Sequence, residues 1–493
     1  MTQIALDLDR VRSHFPGLHR GWTLFDNAGG SQILKGAVER MTEFLFERNV
    51  QIGGTYAVSQ AAAEALREAR EAAQVLVNAA RPEEIVFGPS TTVLLQNLAR
   101  AMRSQLRPGD EIIVTMADHE SNIGPWVGLR EFGIDVTFWP LDRDRMGLDP
   151  EMLRSMLSDR TRLVCVTQVS NILGQVNPVA EIARIVHEAG ARLCVDAVAY
   201  APHRAIDVRA WDVDYYVFSL YKTYGPHYAV MYGKHEHLLE LDTLYHYFYG
   251  RDKVPGKLEP GNPSYECAYS TLAIRDYLAD LGAATGGDTR SRIEAGYGAI
   301  TRQEDALVGR LLSYLGSRND CRIVGQARNE GSARIPTVAF RFDGRDSGEV
   351  ARAMDDHRIA IRHGDFHSRR LVEDLGLDGK GACCACRWSI TTRSRRWTGF
   401  ATRWIASCRR RPEPWASRAL GMALISHGRA RPGAGRVGRP RCWRERTDPS
   451  PRAGGLTDVR SALAGARQPA WPPLSVRMKA MKSSPCEPIR SLV

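Results

Sequence analysis

Short apolar runs alternate with amphipathic stretches between residues 83 and 233. The runs EIIVT, RLVCVT and YYVFS are rich in β-branched or aromatic residues, a pattern typical of strands buried on both faces of a sheet. Stretches between the runs, such as VAEIARIVHEAG, repeat apolar residues at the i, i+3, i+4 spacing of an amphipathic helix. The alternation predicts an α/β fold in which helices cover both faces of a mainly parallel sheet.

Four polar residues follow predicted strands of this sheet: His119, Asn171, Asp196 and Lys222. Taken singly, each of them also fits an ordinary polar loop residue. Ligands of parallel sheets bind outside the carboxyl ends of the strands, so four such residues at equivalent positions predict one shared site.

Lys222 lies in the turn of a predicted strand–loop–strand unit. Burial of such a lysine lowers its pKa, and the neutral amine can then form a Schiff base with an aldehyde. Pyridoxal 5'-phosphate (PLP) is the common aldehyde partner, and its ring needs a carboxylate at the pyridine nitrogen. Asp196 fits that role, His119 fits a flat group against the ring face, and Asn171 fits a donor to the ring oxygen.

A phosphate group would also need an anion site. The segment Gly88–Thr92 links a predicted strand to a predicted helix, and the free N–H groups of a helix start attract anions. The same residues also fit an ordinary helix cap. Ser219 and Tyr221, beside the lysine, offer two further hydroxyl groups.

Six segments taken in order resemble the class V aminotransferase family, in its cysteine desulfurase-like branch. The resemblance spans residues 20 to 381 and rests on DNAGGS, GPSTT, DHESNIGPW, VSNILGQVNP, VDAVAYAPH and SLYKTYGPH. It implies the PLP-dependent fold type I: an N-terminal segment at 1–20, a large PLP-binding domain at 21–265 and a smaller α+β domain at 266–381. It also implies a homodimer that acts on a small-molecule amino acid substrate.

The resemblance implies roles for individual residues. The catalytic residues would be Lys222, which forms the Schiff base, together with His119 and Asp196. The expected cofactor-binding residues are Thr91, Thr92, His119, Asn171, Asp196, Ser219, Tyr221 and Lys222. The expected substrate-binding residues are Asn27, Ala28 and Arg362.

Three positions depart from the desulfurase pattern. The segment RIAIRHGDFHSRRL has His367 where desulfurases carry a nucleophilic cysteine. Without a thiolate there, a persulfide cannot form on this loop. Tyr221 and Ala199 stand where desulfurases commonly have His and Gln. We therefore expect a PLP enzyme acting at Cα–Cβ of an amino acid, as a lyase, a desulfurase-like enzyme or a transaminase, without a persulfide on this loop.

The composition changes at residue 382. Residues 382–493 hold 23 basic and 5 acidic residues, a net charge of +18, whereas residues 1–381 carry −7. Read in a shifted frame, permitted codons give LLRVSMVHYNTIEEVDRFCDALD, which resembles the end of the family. We therefore predict that 382–493 is an out-of-frame, disordered basic tail and that the small domain is incomplete. The alternatives are a non-catalytic PLP-fold protein whose tail binds nucleic acid, or a cysteine-rich metal site, for which histidines at zinc spacing are missing.

Other function classes find little support. The charged N-terminus does not resemble a secretory signal, and no run approaches the roughly 18 apolar residues of a membrane span. Cys165, Cys194, Cys267 and Cys321 are scattered, which argues against a metal site in the body of the chain. No GxGxxG follows a predicted strand, which argues against a dinucleotide-dependent dehydrogenase. We expect a cytoplasmic enzyme.

Overall fold

The computed structural model describes residues 5–329, 333–377 and 383–387. The strands within these ranges are β1 (Thr23–Leu24), β2 (Ile85–Gly88), β3 (Glu111–Thr115), β4 (Asp135–Trp139), β5 (Thr161–Thr167), β6 (Arg192–Asp196), β7 (Tyr215–Ser219), β8 (Ala229–Gly233), β9 (Cys321–Val324), β10 (Thr337–Phe342), β11 (Ile359–Ala360), β12 (Arg362–Gly364) and β13 (Cys383–Arg387). The α-helices are α1 (Leu8–Ser13), α2 (Lys35–Glu47), α3 (Ala57–Val77), α4 (Thr91–Met102), α5 (Gly124–Val127), α6 (Pro150–Met156), α7 (Val179–Glu188), α8 (His235–Glu240), α9 (Tyr265–Tyr269), α10 (Thr271–Leu281), α11 (Thr289–Gly316), α12 (Ser347–Asp355) and α13 (Arg369–Asp374).

The large sheet has seven strands in the order β2-β8-β7-β6-β5-β3-β4. The pairs from β7 to β4 are all parallel, and β8 runs antiparallel to both of its neighbours. This confirms the predicted mainly parallel sheet. The reversal at β8 follows from the tight connection after Ser219, which leaves no room for a crossover helix.

Helices cover both faces of this sheet because neighbouring strand residues point to opposite sides. Ile112 and Val114 of β3 pack in a cluster with Leu95 of α4. Ile113, which lies between them, packs in a second cluster that includes Ile182 of α7. The alternation of side chains along a strand explains why one apolar run serves two cores.

A smaller four-stranded sheet, β12-β13-β10-β9, is antiparallel throughout. Its core contains Val338 and Phe340 of β10, Leu311 of α11 and Met354 of α12. A separate two-stranded sheet pairs β1, near the start of the chain, in parallel with β11. Residues at both ends of the described chain therefore meet here.

The small domain does not stop at residue 381 as the change in composition predicts. Strand β13 lies between β10 and β12 and pairs with both, so the sheet keeps a strand that the sequence predicts to be lost. The rest of the predicted out-of-frame tail, residues 388–493, lies outside the described residues. Its frame and its proposed disorder therefore remain predictions, as do the domain boundaries at 20 and 265.

Within the described ranges, no helix is long and apolar enough to cross a membrane. No three His, Cys, Asp or Glu side chains in this part of the chain are grouped as metal ligands.

A buried carboxylate joins strands and helices at the amino end of β7. Asp214 accepts hydrogen bonds from His187 Nε2 at 2.8 Å, His237 Nε2 at 3.1 Å and the Leu193 backbone N–H at 2.7 Å. Lys234 Nζ lies 2.8 Å from the same carboxylate. Burial by itself would raise the pKa of Asp214, but these donors together hold it well below its usual range.

We expect Asp214→Asn to lower the free energy of unfolding by about 3 kcal/mol, because the change removes the buried anion that Lys234 and the two histidines contact. A carboxyl with a depressed pKa stabilises the fold above its unfolded pKa of about 3.9, and this contribution is lost as the pH falls through the folded pKa. The difference in the free energy of unfolding between wild type and variant should therefore be largest at about pH 7 and should become smaller below about pH 4. Urea unfolding at several pH values measures it.

Asp212→Asn is the matched control. Asp212 also bonds Lys234, but its side chain is 66% exposed, so we expect a loss below about 1 kcal/mol. Equal losses in the two variants would contradict the role given to Asp214.

Candidate active site

A cavity opens at the carboxyl ends of β5, β6 and β7. Its empty volume is about 530 Å³, which includes open solvent at its entrance. Its lining contains seven of the residues that the sequence singles out: Thr91, Thr92, His119, Asn171, Asp196, Tyr221 and Lys222. The other lining residues are Ser90, Ser121, Thr167, Val169, Val198 and Ala199.

The lysine loop is fixed from the N-terminal side of the chain. Ser31 donates to the carbonyl of Tyr221 through its N–H at 2.9 Å and its hydroxyl at 3.0 Å. The Tyr224 N–H donates back to the Ser31 hydroxyl at 2.7 Å. Lys222 Nζ lies 5.4 Å from the centre of the Tyr221 ring. The turn that carries the amine is therefore held on both sides of the lysine.

Asp196 is the last residue of β6 and is only 4% exposed. Its Oδ1 accepts a hydrogen bond from the Val198 N–H at 2.9 Å. This bond fixes one edge of the carboxylate at the wall of the cavity.

A second buried acid, Asp118, lies behind this wall. It accepts hydrogen bonds from Asn122 Nδ2 at 2.9 Å, the His119 N–H at 3.1 Å and the Thr115 hydroxyl at 3.4 Å. Burial and the nearby charge of Asp196 raise the pKa of Asp118 well above its usual value. Asp118 is absent from the predicted site; its one signal in the sequence is its place directly before His119 after a strand.

His119 is held as a neutral ring. Its Nδ1 accepts from the Ser121 N–H at 3.0 Å and lies 2.8 Å from the Ser121 hydroxyl, so in the neutral ring the proton is on Nε2. Burial, the charge of Lys222 and the charge of His367 lower the pKa of His119 to about 4. The ring is therefore uncharged near neutral pH.

Asn171 contacts a loop of the small domain. Its Nδ2 donates to the Phe366 carbonyl at 2.9 Å, and its Oδ1 accepts from the Ser368 hydroxyl at 2.8 Å. One amide hydrogen is left for a ligand. The sequence predicts Asn171 in the site but gives no sign of this contact across 195 residues of chain.

Four predicted residues do not line the cavity. Ser219 is buried at the end of β7, where its carbonyl accepts from the Thr223 hydroxyl at 3.1 Å. Asn27 Nδ2 lies 3.5 Å from the carbonyl of Lys222, and Ala28 follows in the same loop. Asn27 and Ala28 therefore belong to the loop beside the lysine turn and are not among the lining residues.

Arg362, the fourth, is ion-paired. Its Nε lies 2.9 Å from Oδ1 of Asp26, and its Nη2 lies 2.8 Å from Oδ2. The hydrogen bond with Asp26 raises the pKa of Arg362. A side chain at Gly29 would overlap the guanidinium, so this glycine leaves room for the pair.

The family model for aminotransferase class V matches residues 23–396. The chain belongs to the class V aminotransferase family.

Two fungal relatives of this family are similar over most of their length. The aminotransferase-like protein FGM3 of Gibberella zeae is 40% identical over 390 residues, which cover 77% of this chain and 94% of the relative. The cysteine desulfurase-like protein ustD of Aspergillus flavus is 36% identical over 381 residues, which cover 75% of this chain and 83% of the relative. The cysteine desulfurase of Thermococcus onnurineus, a solved structure, has a TM-score of 0.71 and 25% identity, covering 82% of this chain and 97% of its own.

Members of the class V aminotransferase family depend on PLP, and the residues of this cavity fit that cofactor. The helix start at Ser90–Thr92 offers hydroxyl groups and free N–H groups for a phosphate. The same cavity presents an amine, a buried carboxylate and a neutral imidazole for the ring.

Lys222→Met should raise the pKa of His119 from about 4 towards its ordinary value of about 6.5, because the variant removes a neighbouring positive charge. Titration of the histidine ring resonances by NMR in the cofactor-free protein measures the change. Lys35→Met, a substitution of an exposed lysine on α2 that pairs with Glu39, is the control and should leave the pKa of His119 in place. An unchanged value in Lys222→Met would contradict the coupling of the two groups.

Proposed function

We propose that this protein is a PLP-dependent enzyme that acts on an amino acid, with Lys222 as the residue that binds the cofactor covalently. One observation carries the proposal: a single cavity gathers Lys222, Asp196 and His119 with the hydroxyl-bearing start of α4. This combination supplies an amine for the cofactor aldehyde, an anion for its ring nitrogen and an anion site for its phosphate.

PLP, when bound, withdraws electrons from the substrate and weakens the bonds to Cα. The carboxylate of Asp196 would hold a proton on the pyridine nitrogen and would thereby keep this electron withdrawal strong. His119 presents a flat, uncharged ring, so it can lie against the cofactor without opposing that positive charge. The amine of Lys222 takes the proton from Cα or returns it.

Thr91 and Thr92 would bind the phosphate, together with the hydroxyl of Tyr221. Both threonines are at the first turn of α4, where the backbone N–H groups lack partners within the helix and the dipole favours an anion. Ser219, buried at the end of β7, is the fourth residue that we expect at the phosphate. Asn171 would donate its remaining amide hydrogen to the ring oxygen.

Asn27, Ala28 and Arg362 would bind the substrate carboxylate. Arg362 already pairs with Asp26, and its side chain is 53% exposed. A substrate carboxylate would therefore have to share the guanidinium of Arg362 with Asp26 or displace Asp26 from it. Planar, bidentate recognition of a carboxylate is what a guanidinium does best.

The reaction we propose is bond cleavage at Cα–Cβ, as a lyase, or transfer of the amino group from Cα, as a transaminase, without a persulfide on the protein. His367 occupies the loop position at which a nucleophilic thiol would be needed. Of the cysteines with described side chains, Cys165 and Cys194 are buried in the sheet. Neither these two nor Cys267 and Cys321 line the cavity.

Reduction with borohydride followed by peptide mapping tests the proposal. We expect the PLP label on Lys222, and we expect Lys222→Ala to lose both the label and the turnover of any amino acid that the wild type consumes. Asp196→Asn should keep the label but lower turnover at least about 100-fold, because the ring nitrogen loses its anionic partner.

Lys35→Ala, at an exposed lysine of α2, is the control and should behave as wild type. A PLP label that stays in Lys222→Ala, on a different lysine, would overturn the assignment.

We also propose a homodimer. Residues 245–249 form a chain of stacked and edge-on aromatic contacts, for example 4.1 Å between the rings of Tyr245 and His246. In this segment Tyr247 is 96% exposed and Phe248 is 65% exposed. Exposed aromatic groups of this kind are typical of protein–protein contacts.

The double variant Tyr247→Ser/Phe248→Ser should raise the dissociation constant of the dimer at least about 100-fold, since aromatic anchors dominate interface energies. Sedimentation velocity across a dilution series measures this constant. Phe132→Ser, at another exposed aromatic residue (40% exposed), is the control and should leave it unchanged. A wild-type protein that is monomeric throughout the series would contradict the proposal.

A further inference from the structure

The loop between β12 and α13 holds an unusual backbone. Phe366 and His367 have φ angles of +53° and +60°, so two successive residues with side chains lie in the left-handed region. That region is costly for residues other than glycine, and it persists where surrounding contacts enforce it, often at functional sites. The loop therefore has a shape that its own sequence does not favour.

Hydrogen bonds within the loop hold this shape. The His367 N–H donates to Asp365 Oδ1 at 3.0 Å, and the Ser368 N–H donates to the Asp365 carbonyl at 2.9 Å. Both bonds close the turn around His367 and direct its backbone towards the large domain.

The large domain holds the same loop from the other side. The Glu120 N–H donates to the His367 carbonyl at 2.8 Å, one residue after His119 in the chain. The Glu120 carboxylate pairs with Arg370 at 3.0 and 3.2 Å. The Asn171 amide bonds the residues on either side of His367, as described above. His367 is thus the centre of a loop that is fixed at four points.

The result of this anchoring is that the imidazole of His367 lies beside that of His119. The ring centres are 5.3 Å apart and the ring planes are inclined at 52°. His119 lines the cavity, whereas His367 is exposed and does not itself line it. The charge of His367 also contributes to the lowered pKa of His119.

We propose that His367 contacts the side chain of the amino acid substrate and exchanges a proton with a heteroatom on it. The neutral imidazole accepts the proton of a side-chain O–H or S–H, and the resulting imidazolium returns the same proton to that oxygen or sulfur. Only a proton moves, so the step needs no oxidant and no second substrate. The inference rests on the proposed function and adds a residue and a substrate class: amino acids whose side chain carries a hydroxyl or thiol.

The neighbouring groups leave this role to His367. Glu120 and Arg370 neutralise each other, and Asp365 is engaged with the backbone of the loop. The ring of His119 is held by Ser121 and faces the cavity. Histidine is also the side chain best suited to exchange protons near neutral pH.

Two variants keep the loop conformation and remove the ring. Glycine and asparagine both adopt positive φ readily, so His367→Gly removes the side chain, whereas His367→Asn keeps a polar group that cannot titrate. His363→Ala, at an exposed histidine of β12 in the same segment, is the control. All three are tested as the PLP-loaded protein.

Spectroscopic titration of the bound cofactor with L-serine, L-cysteine and L-alanine measures the apparent Kd of each amino acid. We expect His367→Gly to weaken binding of serine or cysteine about tenfold, the effect of one lost hydrogen bond, and to leave L-alanine within about twofold. For the amino acid that is turned over, His367→Asn should remove one limb of the pH profile of kcat. His363→Ala should match wild type in both measurements.

A readout on the cofactor-free protein supports or overturns the same claim. In His367→Asn, NMR should show the pKa of His119 rising from about 4, because a positive neighbour is gone. Equal weakening for all three amino acids, or no weakening, together with an unchanged pH profile would overturn the proposal. If Lys222→Ala keeps its label, the proposed function fails on its own, whatever the His367 variants do.

Discussion

The parallel arrangement of β5, β6 and β7 is the constraint on which the site depends. Because these strands run in one direction, the residues that follow them emerge at a single edge of the sheet. Asp196 ends β6, Asn171 follows β5 and Lys222 follows β7. Reversal at β8 then turns the chain back at once, so the amine stays at that edge rather than being carried away by a long connection.

Loops from distant parts of the chain complete what the sheet begins. The segment from Asp26 to Ser31 supports the lysine turn from one side, and the segment from Asp365 to Arg370 meets His119 and Asn171 from the other. The contacts of the two loops are made by backbone groups, by the hydroxyls of Ser31 and Ser368, and by the Arg370–Glu120 ion pair, whose charges cancel. The small domain therefore takes part in the site and does not merely flank it.

Much of this could be predicted from the sequence because the information is local. Continuous apolar runs identify strands buried on two faces, and a polar residue after each run identifies the edge where ligands bind. Asp118 was missed because its importance lies in burial beside Asp196, which no local pattern reveals. The contacts of Asn171 with Phe366 and Ser368 were missed because they join residues 195 and 197 positions apart.

Strand β13 shows a different limit of local patterns. The segment CCACR has neither clear alternation nor a run of β-branched residues, yet it pairs with β10 and β12. Strand preference depends strongly on the neighbours of a segment, and here β10 and β12 provide backbone partners on both sides of it. The change in composition at residue 382 marks the end of the alternating sequence pattern. It does not mark the end of the small sheet, because β10 and β12 can still pair with the segment that follows.

The charge of the cavity depends on two neighbouring carboxyl groups, which no local pattern in the sequence relates to each other. Asp118 and Asp196 are both buried, and burial together with the charge of Asp196 raises the pKa of Asp118 well above its usual value. Asp118 is surrounded by neutral donors, whereas Asp196 borders the cavity that also contains Lys222. A positive charge that enters the cavity therefore meets the carboxylate of Asp196, whereas the raised pKa of Asp118 favours its neutral form. Such an arrangement favours a ligand with a cationic ring nitrogen over a neutral one of the same shape, and it does so before any contact with the phosphate or the substrate side chain is made.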